Sequence, residues 1–315
     1  MMRDNGRLHW IDTAKAIGMI LVYMYHAEVK YGCESELLFN LRSPFYVNVF
    51  FFVSGFLLYR CGKSASDIAR NALLRIYLPS VLVASLLFVP KMMANGGALD
   101  FRAFLPDAVG GGAFWFTSAL IVAELIWCGI VLLGKDFRLA KITAISAIAA
   151  TVAIIFFRDE SAIMHFNSGM YSMIFLAAGT LFCHFEDKIQ IDSGLPVCIL
   201  TMIVSSVLII IFGRQMTIDV GAMDFTLFGM IIALASTIAF VGICKNIPPF
   251  KPLCFIGQHT LLFYLLSTAV PQVVSIGIRQ TQCSPHLGVA IVWAASLTIV
   301  YFIAILFSRF RLRLR

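Results

Sequence analysis

The chain has 315 residues, of which 60% are hydrophobic and only 13% charged, and its mean hydropathy is +0.90. A soluble globular domain carries about a quarter of its residues as charges, so this composition excludes one and predicts an integral membrane protein. The formal charge of +7 does not point to nucleic acid, because Lys and Arg are scattered in short stretches between apolar runs, where they read as topology determinants.

Ten apolar spans are predicted, over residues 12–30, 44–60, 72–93, 113–133, 139–157, 169–185, 195–212, 219–243, 254–278 and 287–308. Most are near the ~20 residues that cross a hydrocarbon core as a helix. The runs are too long and too uniformly apolar for a membrane β-barrel. No Pro/Ser-rich linker or soluble module interrupts them, so a single all-α polytopic domain over residues 1–315 is expected. No small-residue cleavage site follows the charged start, and the first span is expected to be retained. With a cytoplasmic N-terminus, seventeen of the 24 Lys and Arg residues fall on the inside, the Arg309, Arg311, Arg313 and Arg315 tail among them. This bias predicts that both termini are cytoplasmic. Arg42 is counted among the seven outside. The eight Cys form no C-x-x-C pair, and neither a zinc nor a redox motif is expected.

The first span, "WIDTAKAIGMILVYMYHAEVK", carries more chemistry than a lipid-facing helix tolerates. Asp12, Lys15, Met19, Val22 and His26 recur at steps of three and four, which places them on one helical stripe. Lys15 and His26 are eleven residues apart, roughly 16 Å along a helix. Asp12 can serve as an N-terminal cap or dipole partner, and Lys15 can snorkel to the headgroups. His26 is harder to place as packing, because an ionisable group inside a membrane faces a cavity or a partner. Imidazole titrates near neutrality and suits a general base. Glu124 lies mid-span, where by the same cost argument it orients His26 or pairs with a cation. His165 is read as part of a solvated loop with Arg158, Asp159 and Glu160, with an acceptor contact as the sharper alternative.

The stretches "RLHWIDTAKAIGMILVYMYH", "FFFVSGFLLYR" and "RNALLRIYLP", in this order, resemble the membrane acyltransferase 3 family. Within it, the resemblance is to fucose-4-O-acetylase-like sugar O-acetyltransferases. Asp12, Lys15 and His26 match the family's opening pattern. Ser54, Gly55 and Phe56 match its Ser-Gly-Phe, while Trp115, Phe116 and Ser118 match its aromatic and small-polar segment. Gly257, Thr260, Leu261, Tyr264, Leu265 and Leu266 match its late signature. The chain departs from many members in having Lys15-Ala16 for Arg-Gly and Ser267 for a His.

The resemblance implies an O-acyltransferase of the bacterial inner membrane. Its donor would be cytoplasmic acetyl-CoA, used as a substrate and not held as a cofactor. Its acceptor would be a hydroxyl of a surface polysaccharide or of a lipid-linked sugar precursor. On that reading His26 is the base, with Asp12 and Lys15 beside it in the catalytic group. Tyr264 and Ser54 are candidate donors to the developing oxyanion, and Trp115 is a supporting residue. Arg70, Arg75 and Lys15 are candidates for the CoA phosphates, for which Arg is well shaped. On a regular helix Arg70 and Arg75 would point about 140° apart, unless the helix starts between them. The rival class is a transporter or flippase for a lipid or sugar, which ten spans and a polar stripe also fit.

Overall fold

The computed structural model describes residues 8–94, 101–133, 138–156, 163–186, 194–212, 227–281 and 283–313. The Arg158, Asp159 and Glu160 group, the start of the expected span at 219, residues 1–7 and residues 314–315 lie outside the described residues. Among the described residues there is helix and no strand.

Fourteen α-helices follow the apolar runs: α1 His9–Tyr31, α2 Glu36–Arg42, α3 Asn48–Arg60, α4 Ala65–Asn71, α5 Leu78–Ala94, α6 Trp115–Leu132, α7 Arg138–Phe156, α8 Phe166–Phe185, α9 Leu195–Phe212, α10 Leu227–Asn246, α11 Lys251–Gln258, α12 Thr260–Leu266, α13 Ala269–Arg279 and α14 Pro285–Arg313. Six described helices are long and apolar enough to cross a membrane, and the pair α12 and α13, bent by 48°, makes a seventh if taken as one span. A helix stands at each of the ten expected places, and among the described residues six or seven spans meet the length and composition needed to cross a membrane. The reasons are physical. The 13 residues of α3 reach about 20 Å, short of the ~30 Å hydrocarbon core. The helix α1 holds Asp12, Lys15, Glu28 and Lys30 in its 23 residues. The expected span 254–278 is not one rod but the broken series α11, α12 and α13.

The chain divides into two compact units. The first comprises Met1–Val49, Ile191–Arg214 and Ala235–Arg315. In it α1 is enclosed by α11, α12, α13 and α14. Trp293 donates its indole N–H to the Ile20 carbonyl at 3.1 Å, and the Tyr23 hydroxyl donates to the Phe263 carbonyl at 2.8 Å. The second unit comprises Phe50–Gln190 and Gln215–Leu234. Between α4 and α5 a π-helical turn, Ala72–Tyr77, interrupts an otherwise continuous helix.

Without a hydrophobic force between helices in lipid, close packing needs small residues at the contact. In the second unit that contact is reciprocal. A Cβ at Gly55 would collide with the Leu176 carbonyl, and one at Gly179 with the Phe52 carbonyl. The Thr180 hydroxyl completes the seam by donating to the Gly55 carbonyl at 3.2 Å. Phe52 and Phe182 pack edge-on beside it, their centroids 5.4 Å apart. The glycine of the Ser-Gly-Phe stretch is therefore a backbone-contact residue.

Gly179→Val should cost more than the roughly 1–3 kcal/mol of ordinary overpacking, because backbone, not a movable side chain, occupies the space. Gly129→Ala, where a Cβ meets nothing within 4 Å, should be neutral or slightly stabilising. Thermal unfolding of both variants in detergent, with the yield of membrane-inserted protein, checks the contrast.

Candidate active site

Helix α1 begins at His9 after Leu8, which provides no side-chain cap. Asp12 is thus not the cap that its position suggested; it lies in the first turn, where a carboxylate faces the positive helix end. Its side chain is buried and lies 3.6 Å from the Lys15 ammonium, one turn along. The neighbouring wall is α11, which approaches so closely at Gly257 that a Cβ there would collide with the Asp12 carbonyl. The glycine of the late signature therefore fixes α11 against the Asp12 turn. The helix ends at Gly32, which adopts φ 77° and donates its N–H to the Glu28 carbonyl at 2.9 Å. That left-handed cap favours glycine.

Because α1 is unbroken, the expected stripe exists. Met19 and Val22 are buried along it, and His26 is half-buried near the far end. The His26 ring lies 5.5 Å from the Tyr25 ring and makes no hydrogen bond to a described residue. Lys15 and His26 remain about 16 Å apart along the helix. They mark two ends of one face and do not form a single contact group.

Two functional candidates escaped sequence reasoning. Glu28, two residues beyond His26, and Arg42, the last residue of α2, form a bidentate ion pair: Nη1 to Oε1 at 2.9 Å and Nη2 to Oε2 at 2.6 Å. Their side chains are 3% and 4% exposed. The Arg42 guanidinium also lies 5.4 Å from the Tyr25 ring centroid and 5.9 Å from that of Phe39. Arg42 is thus no outside-loop cation. The legible signal was Glu28 itself: an acid inside an apolar run needs a cation. Its partner's spacing of fourteen residues across a turn has no periodic signature.

In the other unit, Ser54 and Glu124 prove to be partners. The Ser54 hydroxyl donates to Glu124 Oε1 at 2.7 Å, and Glu124 is buried. The one hydroxyl proton of Ser54 is committed to that carboxylate, which opposes a simultaneous role as an oxyanion donor. Trp115 opens α6 half-buried, edge-on to Phe116 at 6.1 Å. Tyr264 is buried on α12, the residue after the carbonyl that Tyr23 holds. Arg70 and Arg75 are both exposed. Arg70 lies just before the π turn and Arg75 within it. Since i to i+5 bonding defines that turn, residues five apart come nearer to one face than on a regular helix. His165 is not in a solvated loop. It is half-buried at the entrance of α8, with φ 49° after Met164 at φ 60°, and burial lowers its imidazole pKa.

Long apolar helices that bury an ion pair and carry a half-buried imidazole with no hydrogen bond to a described residue define an integral membrane protein with a polar interior. Residues 8–309 match the acyltransferase domain family, Acyl_transf_3. The chain belongs to this membrane acyltransferase 3 family and is an acyltransferase. Neither a curated protein nor a solved structure matches it.

Glu28→Gln strands a buried cation, and Arg42→Gln strands a buried anion. Each should cost about 3–5 kcal/mol and lower the yield of folded protein. The double variant, two neutral amides able to bond each other, should recover most of that loss. Denaturation of the four proteins as a double-mutant cycle measures the coupling; additive losses would show that the pair contributes nothing as a pair.

Proposed function

We propose that the protein is an inner-membrane O-acetyltransferase of the fucose-4-O-acetylase-like kind. It moves acetyl from cytoplasmic acetyl-CoA to a hydroxyl of a surface polysaccharide or its lipid-linked precursor. The observation that carries this reading is the His26 imidazole, which has no hydrogen bond to a described residue and shares one helix face with Asp12 and Lys15, in a chain of an acyltransferase family. An alcohol is a weak nucleophile until a base removes its proton. His26 takes that proton as the hydroxyl oxygen bonds to the thioester carbonyl carbon. Negative charge collects on the carbonyl oxygen, where hydrogen-bond donors stabilise it. The C–S bond then breaks, the ester remains on the acceptor, and the thiolate of CoA recovers the proton from the imidazolium. Lys15, half-exposed and paired with Asp12, contributes positive charge at the end of α1 where the charge bias expects the donor.

Proton NMR of surface glycan from wild type and from a deletion strain tests this. The wild-type spectrum should contain O-acetyl methyl signals that mild alkali removes, and the deletion should lack them. Glycan with unchanged acetyl content but altered location would instead mark a transporter or flippase.

A further inference from the structure

The unit that holds α1 contains a pocket of about 370 Å³ outside the acyl-transfer stripe. One wall is the start of α1, with His9 and Trp10; the other is the end of α10 and the following turn, with Lys245, Asn246, Pro248 and Pro249. The volume lies near the lower end of the roughly 300–1,000 Å³ typical of small-molecule sites. Among the described residues, its lining has basic groups in His9 and Lys245 and no acidic residue. It also lies at the positive end of α1. Pro248 and Pro249 have fixed φ and no N–H, so with Trp10 they give the lining a stiff, apolar component. Asn246 donates through Nδ2 to the Gly242 carbonyl at 2.9 Å. That bond fixes the amide and leaves one N–H and Oδ1, the donor–acceptor pair that matches an adenine edge.

We propose that this pocket seats the nucleotide head of the acyl donor, with phosphate on Lys245 and His9 and the base between the apolar walls against Asn246. The proposal rests on the reading of CoA thioester as donor. It explains why the pocket opens two residues before Asp12: a head group held there lets the donor's flexible arm run along α1 past Lys15 toward His26. A phosphate on these cations has two possible sources, a nucleotide or a lipid headgroup. Asn246 and the flat apolar walls match a base and have no counterpart in a phospholipid head.

The test is calorimetric titration of the full chain in phosphatidylcholine nanodiscs with CoA and with adenosine 3′,5′-bisphosphate, at two salt concentrations. Wild type should bind both. Lys245→Ala and His9→Ala should each weaken both by about tenfold, equivalent to ~1.4 kcal/mol, and should flatten the salt dependence. Lys245→Arg should retain binding, and unfolding temperatures should confirm that the variants are folded. If wild type binds CoA and the alanine variants bind it equally well, the pocket assignment is overturned and the donor reading stands. If wild type binds neither ligand, both fall. A repeat in nanodiscs containing phosphatidylglycerol should leave nucleotide affinity unchanged. Lys245-dependent retention of that lipid with loss of nucleotide binding assigns the phosphate site to a headgroup and overturns the proposal.

Discussion

The ion pair between Glu28 and Arg42 is the interaction on which the far end of α1 depends. Neither charge is tolerable alone in a low-dielectric interior, so α1 and α2 must keep the register that joins them. The bidentate geometry permits little sliding. The planar guanidinium is held further by the Tyr25 and Phe39 rings. His26 precedes Glu28 by two residues, and Tyr25 lies between His26 and Arg42 in the chain of ring contacts. The pair thereby fixes the turn of helix from which the imidazole projects. At the opposite end, the backbone contact at Gly257 and the Asp12–Lys15 pair fix α1 against α11. A helix pinned at both ends holds the His26 imidazole in a constant position, as its proposed role as base requires.

Much of this was legible in the residues, and the limits were physical. The stripe on α1 could be read because helical periodicity is local, and so could the membrane class, because composition is global. The late signature was legible as a motif but not as a break, since the breaks between α11, α12 and α13 fall at His259 and at Ser267–Thr268, where no Pro or Gly marks them in the sequence. Ser54 and Glu124 were each singled out without being recognised as partners. They are 70 residues apart, and no local pattern encodes such a contact. The pairing of Arg42 was not legible, because a cation beside an apolar run looks the same whether it faces headgroups or a buried acid. Gly55 was noted within a motif, yet its cause, the Leu176 carbonyl, comes from another helix.

The arrangement also divides labour between charge and neutrality. Asp12 pairs with Lys15 on α1, and Glu28 of α1 pairs with Arg42 of α2, which lowers the cost of holding these charges in an apolar setting. The single-signed groups, Arg70 and Arg75 on α4 and the π turn, are exposed, where anionic ligands can reach them.

The central claim is that His26 is the base that activates the acceptor. Membranes from a deletion strain complemented with wild type or with His26→Ala, at matched expression, can be incubated with radiolabelled acetyl-CoA, and the label in alkali-labile glycan ester counted. The account predicts that His26→Ala lowers the rate by about 10²–10⁴-fold, with normal protein level and insertion. Transfer at the wild-type rate would contradict it and leave the stripe on α1 a packing feature.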